Sequence, residues 1–324
     1  MIKITNFLYY DDKKIKNSPL FSEVLNCDSL SFKFLYAINS LLNVKFKFFK
    51  DFFIAEENDS PKALIGIKIL AGEEIRAVIT NFILAENSLN IAERLINSIV
   101  QKYSAKGVST FYIHIDNYDD ELKNLFLSKA NFRVLTSEVF FDIKREYEGY
   151  NSHSYIKKIC DKNAVACLDL YNYLLEPNFK FYFKKNIAEF KQSLLFKGAQ
   201  EKFSYVIQNP KTDEIYAYFT LNNISKDSWI LEPIITLRYA SYILDVIEFA
   251  NSLLAKKYQN YSLNLLLGKY FISSADIISV LQNSNFEIIK ENLILSKDYL
   301  KRIKDTAEVG NSRIIFNDIN PAYW

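Results

Sequence analysis

The sequence is poor in glycine, cysteine and histidine. Its 324 residues include seven glycines, three cysteines and two histidines. Cys27, Cys160 and Cys167 have neither the spacing of a zinc site nor a disulfide framework, so we expect reduced thiols. With His114 and His153 as its histidines, the chain cannot build a histidine-rich metal site, and we expect no metal. A catalytic base would then be a carboxylate, a tyrosine or a water molecule.

The sequence also lacks an excess of either charge and any long apolar run. Lysine plus arginine number 40 against 38 aspartates plus glutamates, a formal net charge of +2. This balance argues against nucleic acid or an anionic membrane surface as a partner. No apolar run is long enough to span a bilayer, and the N-terminal stretch has no secretory signal pattern. We therefore expect a cytoplasmic protein without membrane contact.

What the sequence does contain is a regular succession of strands and helices between residues 73 and 144. The predicted elements are a strand at 74–84, a polar turn, a helix at 89–105, a strand at 108–116, a helix at 121–129 and a strand from 131 to 144. A strand that leads through a polar turn into a helix is a potential anion site, because the first helical N–H groups have no partner. Before this stretch we predict a strand at 2–9, helices at 20–27 and 29–42, and a hairpin of strands at 52–56 and 63–70.

After a polar segment at 145–154, the same order of elements begins again. The second set is a strand at 155–160, helices at 163–175 and 184–196, hairpin strands at 203–208 and 215–222, a strand at 229–236, a helix at 240–257, a strand at 261–267, a helix at 274–283 and a strand ending at 297. Asn131-Phe132 corresponds to Asn285-Phe286 at an offset of 154 residues (285 − 131), and Val139 then matches Leu293. The match predicts a duplicated domain, although two ordinary α/β halves can also agree by chance. The predicted domains are 1–146 and 153–300, joined by a linker at 147–152 and followed by a tail at 301–324.

This element order, found twice, resembles the GNAT superfamily of N-acetyltransferases in a tandem arrangement. The resemblance rests on the strand–turn–helix at 83–96 and on the segments 127–132 and 281–286, which end in Asn-Phe where the family has Gly-Phe. Asn tolerates the left-handed backbone that such a turn needs. The resemblance implies a mixed α/β fold of two acyl-CoA N-acyltransferase-like domains. It further implies that the fourth and fifth strands of a domain splay apart and that acyl-CoA, most simply acetyl-CoA, lies in the gap.

In the family, the donor contacts the edge of the fourth strand and the amides at the start of the next helix. The residues on these positions here are, in the first half, Leu84, Asn87, Asn90 and Ala92, and in the second half, Ile234, Ile235, Thr236, Arg238 and Ser241. Of the phosphate-turn positions only Ala92 fits the glycine-rich pattern of the family, and side chains at Asn90 or Tyr239 would crowd a phosphate. Arg94 and Arg238 either supply charge to a phosphate or are simply solvated.

The resemblance also implies a carboxylate base on the fourth strand and a tyrosine acid. The second half offers Glu232, which is either a base whose pKa is raised by burial or an outward-facing glutamate. The first half has Asn81 there, which cannot be a base. Ser128 and Gln282 replace the usual tyrosine, so the nearest substitutes are Tyr118 and Tyr270, each of which can equally be a packing residue. His114 lies either in the core or in the cleft, and His153 receives no role.

The expected function is acyl transfer from an acyl-CoA to a small-molecule or peptide amine, with catalysis by Glu232 and Tyr270 in the second half. The alternative is a degenerate acetyltransferase fold that serves as a ligand-binding or scaffold module, since both halves lack the family's glycines and tyrosine. A donor other than CoA, such as an acyl carrier protein or an aminoacyl-tRNA, is a third reading, and the balanced charge argues against tRNA. The last strand of each half is short for the family, and residues 312–316 could supply a missing strand.

Overall fold

A computed structural model describes residues 2–6, 51–58, 60–70, 76–85, 87–143, 155–191, 201–209, 211–212, 214–225 and 227–299. The predicted helices at 20–27 and 29–42, the linker at 147–152 and the tail strand at 312–316 lie outside these residues.

The first half contains six strands and two helices among its described residues. They are β1 (Ile2–Asn6), β2 (Asp51–Glu57), β3 (Ser60–Ile69), β4 (Arg76–Leu84), α1 (Leu89–Ser104), β5 (Thr110–Asp116), α2 (Asp120–Lys123), which continues as a π-helix over Asn124–Lys129, and β6 (Arg133–Ile143). Each described element lies within a few residues of its prediction.

The described part of the second half repeats this order with a different first helical region. Its elements are β7 (Ile156–Lys158), α3 (Ala164–Leu174), α4 (Lys180–Phe183), β8 (Lys202–Gln208), β9 (Ile215–Ser225), β10 (Ser228–Ile235), α5 (Tyr242–Lys257), β11 (Ser262–Gly268), α6 (Ser274–Asn283) and β12 (Ile288–Asp298).

The predicted helix at 184–196 is wrong where the structure describes it. Lys184 is extended at ψ 127°, and only a 3₁₀ turn forms at Ile187–Glu189. The Asn186 side chain accepts a hydrogen bond from the Ala188 N–H, and Glu189 bonds back to the Asn186 N–H, so this capping box starts a new turn instead of continuing a helix.

The twelve strands form one sheet in which the two halves exchange their last strands. The order is β1-β2-β3-β4-β5-β12-β6-β11-β10-β9-β8-β7. Strand β12 of the second half pairs with β5 of the first, and β6 of the first half pairs with β11 of the second. The last strand of each half was expected to be short, but β6 and β12 each have 11 residues and pair with the other half.

The exchange has an internal two-fold symmetry. Glu138 on β6 lies opposite Asn292 on β12, and these two positions are related by the 154-residue offset (292 − 138). The pairs Ser137–Leu293 and Val139–Glu291 flank it and are exchanged by the same operation. The 154-residue offset found in the sequence therefore relates the two halves of the sheet by a two-fold axis that passes through the Glu138–Asn292 pair.

Each hydrophobic core includes side chains from the strand that the other half contributes. In the first half, α1 and the π-helix pack on one face of the sheet, and Leu295 of β12 belongs to that core. In the second half, α5 and α6 pack on the same face, and Val139, Phe141 and Ile143 of β6 belong to their core. On the opposite face of the second half, α3 forms a separate cluster with Ile234 of β10 and Tyr218 of β9.

The Asn-Phe turns have the predicted backbone. Asn131 has φ 55° and Asn285 has φ 61°, both in the left-handed region. The phenylalanine that follows is fully buried at Phe132 and partly buried at Phe286, where it packs against the core of its half. Asparagine therefore replaces glycine without loss of the turn.

Candidate active site

The gap between β10 and β11 opens where their parallel pairing stops. The paired residues run from Ser228–Ser262 to Leu231–Leu265, and each strand then continues for three or four residues without pairing to the other. In the first half the same happens after Ile79–Ile113, between β4 and β5. The expected splay of the fourth and fifth strands is confirmed in both halves.

The edge of β10 that faces this gap carries hydrogen-bonding groups for a ligand. The Thr236 N–H donates to the Tyr216 carbonyl at 3.0 Å, on the β9 side. Because bonding directions alternate along a strand, the Pro233 carbonyl and the Ile235 N–H point to the gap. Pro233 has no N–H, so no donor is stranded there. The side chains of Ile234 and Ile235 are buried, at 8% and 0% exposure, and only their backbone can contact a ligand.

The turn from β10 into α5 has features of an anion site. Leu237–Tyr239 forms a 3₁₀ turn before α5, and Arg238 and Ser241 are exposed beside it. The Tyr239 ring lies 4.2 Å from the Tyr216 ring and is stacked on Tyr242. Thr236 Oγ1 is buried and has no hydrogen-bond partner in the described part of the chain. This unsatisfied hydroxyl at a helix start fits the phosphate end of a CoA donor.

The corresponding turn in the first half is less open. Asn87 keeps the left-handed turn at φ 58°, and Leu84 is partly buried against the first core. The Asn90 side-chain oxygen accepts a hydrogen bond from Lys129 Nζ at 2.9 Å. Ala92 is fully buried, and its N–H donates to the Ser88 carbonyl, so its amide is already satisfied within the helix. Arg94 is exposed on α1.

Glu232 and Tyr270 line one cleft of about 110 Å³ beside the splay of the second half. Glu232 lies on the α3 side of β10 and is half-buried, so it is neither in the core nor fully solvated. The Asn222 side-chain amide donates to Glu232 Oε1 at 2.7 Å, which fixes the carboxylate across the β9–β10 pair. A carboxylate held this way, with access to a cleft, can accept a proton from a ligand.

Tyr270 is positioned by the loop that follows β11. Its carbonyl accepts a hydrogen bond from the Glu176 N–H at 3.1 Å, and its ring is stacked on Phe183 with centroids 4.2 Å apart. Its hydroxyl donates to Glu138 Oε1 at 3.3 Å. Burial, together with the nearby Glu138 charge, raises the pKa of Tyr270 well above its ordinary value, so the phenol remains protonated and can act as an acid.

Gly268 leaves the space that the Tyr270 ring needs. A Cβ atom at Gly268 would lie 2.3–2.7 Å from three atoms of the Tyr270 ring and hydroxyl. We expect Gly268→Ala to displace Tyr270. If Tyr270 is the acid of the acyl transfer that the resemblance implies, kcat should fall about tenfold or more, with little change in acetyl-CoA affinity. Steady-state kinetics and calorimetry measure the two quantities. An unchanged kcat would show that the hydroxyl need not occupy this position.

Glu138 is a site residue that the sequence did not reveal, because it belongs to the other half of the chain. The exchanged strand β6 brings it to the second-half cleft, where it is only 6% exposed. His114 Nδ1 lies 3.1 Å from Glu138 Oε2, and its side chain is 40% exposed. His114 is therefore on the cleft side of the sheet, not in the core. The signal in the sequence was a glutamate within a strand of mixed polar and apolar residues, but only the topology shows which cleft it enters.

The first half does not assemble an equivalent set. Asn81 on β4 lies opposite Gly66, two residues after the last β4–β5 pair. Glu232 on β10 lies opposite Thr220, one residue after the last β10–β11 pair. Asn292 is the symmetry counterpart of Glu138. Tyr118, the counterpart of Tyr270, is 81% exposed. In the second half, by contrast, Glu232 and Tyr270 line the same cleft.

The described residues contain no group of three or more His, Cys, Asp or Glu side chains arranged to hold a metal ion. Within the same part of the chain, no helix is both long and apolar enough to cross a membrane.

Comparison with known proteins identifies the fold through structure alone. No protein-family model matches the sequence, and no curated protein matches it. A tandem GNAT protein from the clavulanic acid biosynthesis pathway matches with a TM-score of 0.58 at 9% identity, over 92% of this chain and 98% of that one. A GCN5-related N-acetyltransferase from Sphaerobacter thermophilus gives 0.56 at 6% identity, over 92% and 95%. Another from Anabaena variabilis ATCC 29413 gives 0.51 at 13%, over 92% and 73%. The chain has the mixed α/β fold of tandem GNAT proteins.

Proposed function

We propose that this chain, whose fold is that of tandem GNAT proteins, is an acyl-CoA-dependent N-acyltransferase that works in the cleft of its second half. The observation that carries the proposal is the convergence of Glu232 and Tyr270 on one cleft at the splay of β10 and β11. The donor is most simply acetyl-CoA, and the acceptor is an amine. Fold alone would not support an activity, but a base and an acid at the expected donor gap do.

The donor is held by backbone groups more than by side chains. The Pro233 carbonyl and the Ile235 N–H face the gap and can pair with the amides of a pantetheine arm. Thr236 Oγ1 and Ser241 at the start of α5, together with the exposed Arg238, receive the phosphates. In the first half, Leu84, Asn87, Asn90 and Ala92 form a weaker version of this turn, because Lys129 holds Asn90 and Ala92 is buried.

The two catalytic side chains divide the proton transfers between them. A bound thioester supplies the acyl group and a thiolate leaving group. Glu232 accepts a proton from the acceptor ammonium, directly or through water, so that the free amine can attack. The Tyr270 hydroxyl donates its proton to the departing sulfur, and the second proton that the nitrogen loses on becoming an amide returns to the Tyr270 phenolate through water. Without a donor, this hydroxyl points to Glu138, and rotation about its C–O bond turns the same proton toward the gap.

Calorimetric titration with acetyl-CoA and with CoA tests the donor site. We expect both ligands to bind the full chain. Arg238→Met should weaken binding about tenfold, a loss of about 1.4 kcal/mol that is in the range of a charge-assisted contact to phosphate. Arg94→Met, which removes an exposed arginine from α1 of the first half, is the matched control and should bind as the parent does.

Binding must be accompanied by turnover. Release of free thiol from acetyl-CoA in the presence of a panel of amines measures it. Binding without release of thiol to any amine would favour the degenerate, ligand-binding reading of the fold. Failure of the chain to bind either acetyl-CoA or CoA would refute the proposed function.

A further inference from the structure

Charged side chains of both signs line the second-half cleft. Glu138 is buried at its base, Glu232 is half-buried on β10, and Lys185, Glu189 and Lys202 lie toward the mouth. The sequence could not show this grouping, because these residues come from β6, β10, β8 and the segment after α4. A cleft that bound only an amine without a negatively charged group would not need two lysines beside Glu232.

Lys185 and Lys202 both line the cleft. Among the residues that the structure describes, neither Lys185 nor Lys202 forms an ion pair. Lys185 Nζ lies 4.8 Å from the centroid of the Tyr171 ring, a cation–π contact at the wall of the cleft. Glu189, the nearest acidic side chain on the same segment, accepts a hydrogen bond from the Asn186 N–H and caps the 3₁₀ turn.

Lys202 and Glu232 stand on the same face of the sheet. Lys202 on β8 is opposite Asn222 on β9, and the Asn222 amide donates to Glu232 on β10. Their strands are two positions apart, about 10 Å at the usual strand spacing. Their side chains therefore approach a small ligand from opposite sides, the ammonium from one and the carboxylate from the other.

The electrostatics support an anion between the two lysines. Burial and the positive charge of Lys185 lower the pKa of Lys202, while Glu232 and Glu189 raise it. Two ammonium groups close to one another repel, and an anion bound between them would relieve that repulsion. Both lysines line the same cleft, which places such an anion inside it.

We propose that the acceptor is a zwitterion of the amino-acid type, with its amine at Glu232 and its carboxylate between Lys185 and Lys202. This inference rests on the proposed function and names the substrate class of the same site. The first-half residue Glu138 closes the base of the cleft, and the aromatic rings of Tyr171 and Tyr218 form its walls.

Matched acceptors of nearly equal size provide the test. Transfer from acetyl-CoA to each of the common amino acids is compared with transfer to its carboxamide, which keeps the amine and loses the negative charge. We expect at least one amino acid to have a kcat/KM about tenfold or more above that of its carboxamide. The double variant Lys185→Met, Lys202→Met should remove this preference by slowing the amino acid, while the rate with the carboxamide stays within about threefold. Lys211→Met, in the β8–β9 turn, is the control and should keep the preference.

The other possible outcomes distinguish failure of the acceptor inference from failure of the proposed function. Carboxamides or simple amines that are acetylated as well as amino acids would overturn the inference and leave the proposed function standing. Loss of acetyl-CoA affinity in the lysine variants, measured by calorimetry, would assign the lysines to donor phosphates and also overturn it. Absence of both donor binding and transfer to any acceptor would overturn the proposed function itself, and the inference with it.

Discussion

Expressed alone, residues 1–150 and residues 151–324 are each expected to fail to fold. In the intact chain, β6 lies between β12 and β11, and β12 lies between β5 and β6. A separated first half would lose β12 from its β5 edge, and its own β6 would have no neighbour. The second half would lose β6 in the same way. Both cuts expose long, apolar strand edges, which favour aggregation.

The buried side chains on the exchanged strands give the size of the effect. Val139, Phe141 and Ile143 are at most 3% exposed and complete the core of the second half. Burial of a side chain of this size contributes about 1.5–3 kcal/mol, so three of them rival the stability of about 5–15 kcal/mol of a typical domain. Circular dichroism and thermal melting of the purified fragments would measure the loss. Contacts of Arg76 with the carbonyls of Tyr182 and Lys184 add to the connection between the halves.

Coexpression of the two fragments is the informative control. The exchange holds the halves together without the linker, so the fragments should copurify as a one-to-one complex and bind acetyl-CoA. A cooperative melting transition in either isolated fragment would show that it can close its own sheet. That result would contradict an obligatory exchange and would support domains that are independent at 1–146 and 153–300.

The repeat was predictable from sequence because it leaves a local trace in each half. Strands and helices of the two sets have the same spacing, and the Asn-Phe turns mark the same point in each. The exchange was not predictable, because residues 133–143 have the same apolar pattern whether they pair with their own half or with the other. Which partner a strand takes is decided by long-range pairing, on which periodicity carries no information.

The residues of the cleft likewise divide into those that the sequence predicts and those that only the tertiary structure shows. Glu232 lies on β10 and Tyr270 follows β11, so the order of elements within one half already places both at the splay. Glu138, Lys185 and Lys202 reach the cleft only through tertiary structure. The sequence predicts a helix at 184–196, but the capping box at Asn186 starts a separate turn there. The position of Lys185 in the cleft does not follow from that prediction. Local propensity is a weak guide where a side chain bonds to the neighbouring backbone.

Glu232→Gln is expected to lower kcat by about 10²- to 10⁴-fold, the usual contribution of a general base. The substitution isolates basicity, because a glutamine oxygen can still accept the hydrogen bond that the Asn222 amide donates to Glu232 at 2.7 Å. Size and shape are also kept, so the fold and the donor gap should be unaffected. The affinity for acetyl-CoA, measured by calorimetry, should remain within about twofold, since the proposed donor contacts are the Pro233 carbonyl, the Ile235 N–H and the turn before α5, and not the Glu232 side chain.

Tyr270→Phe and Glu121→Gln are the variants to compare with Glu232→Gln. Tyr270→Phe keeps the stack on Phe183 and removes only the hydroxyl, so kcat should fall while donor affinity again stays constant. Glu121 is exposed on α2 of the first half and does not line the cleft, so its glutamine variant should turn over as the parent does. If Glu232→Gln retained full kcat with an acceptor presented as an ammonium, Glu232 would not be the base. The remaining carboxylate at the base of the cleft is Glu138, whose hydrogen bond to Tyr270 already commits one oxygen. If Glu138→Gln alone then abolished turnover, the general base would be Glu138, on the strand β6 that the first half contributes.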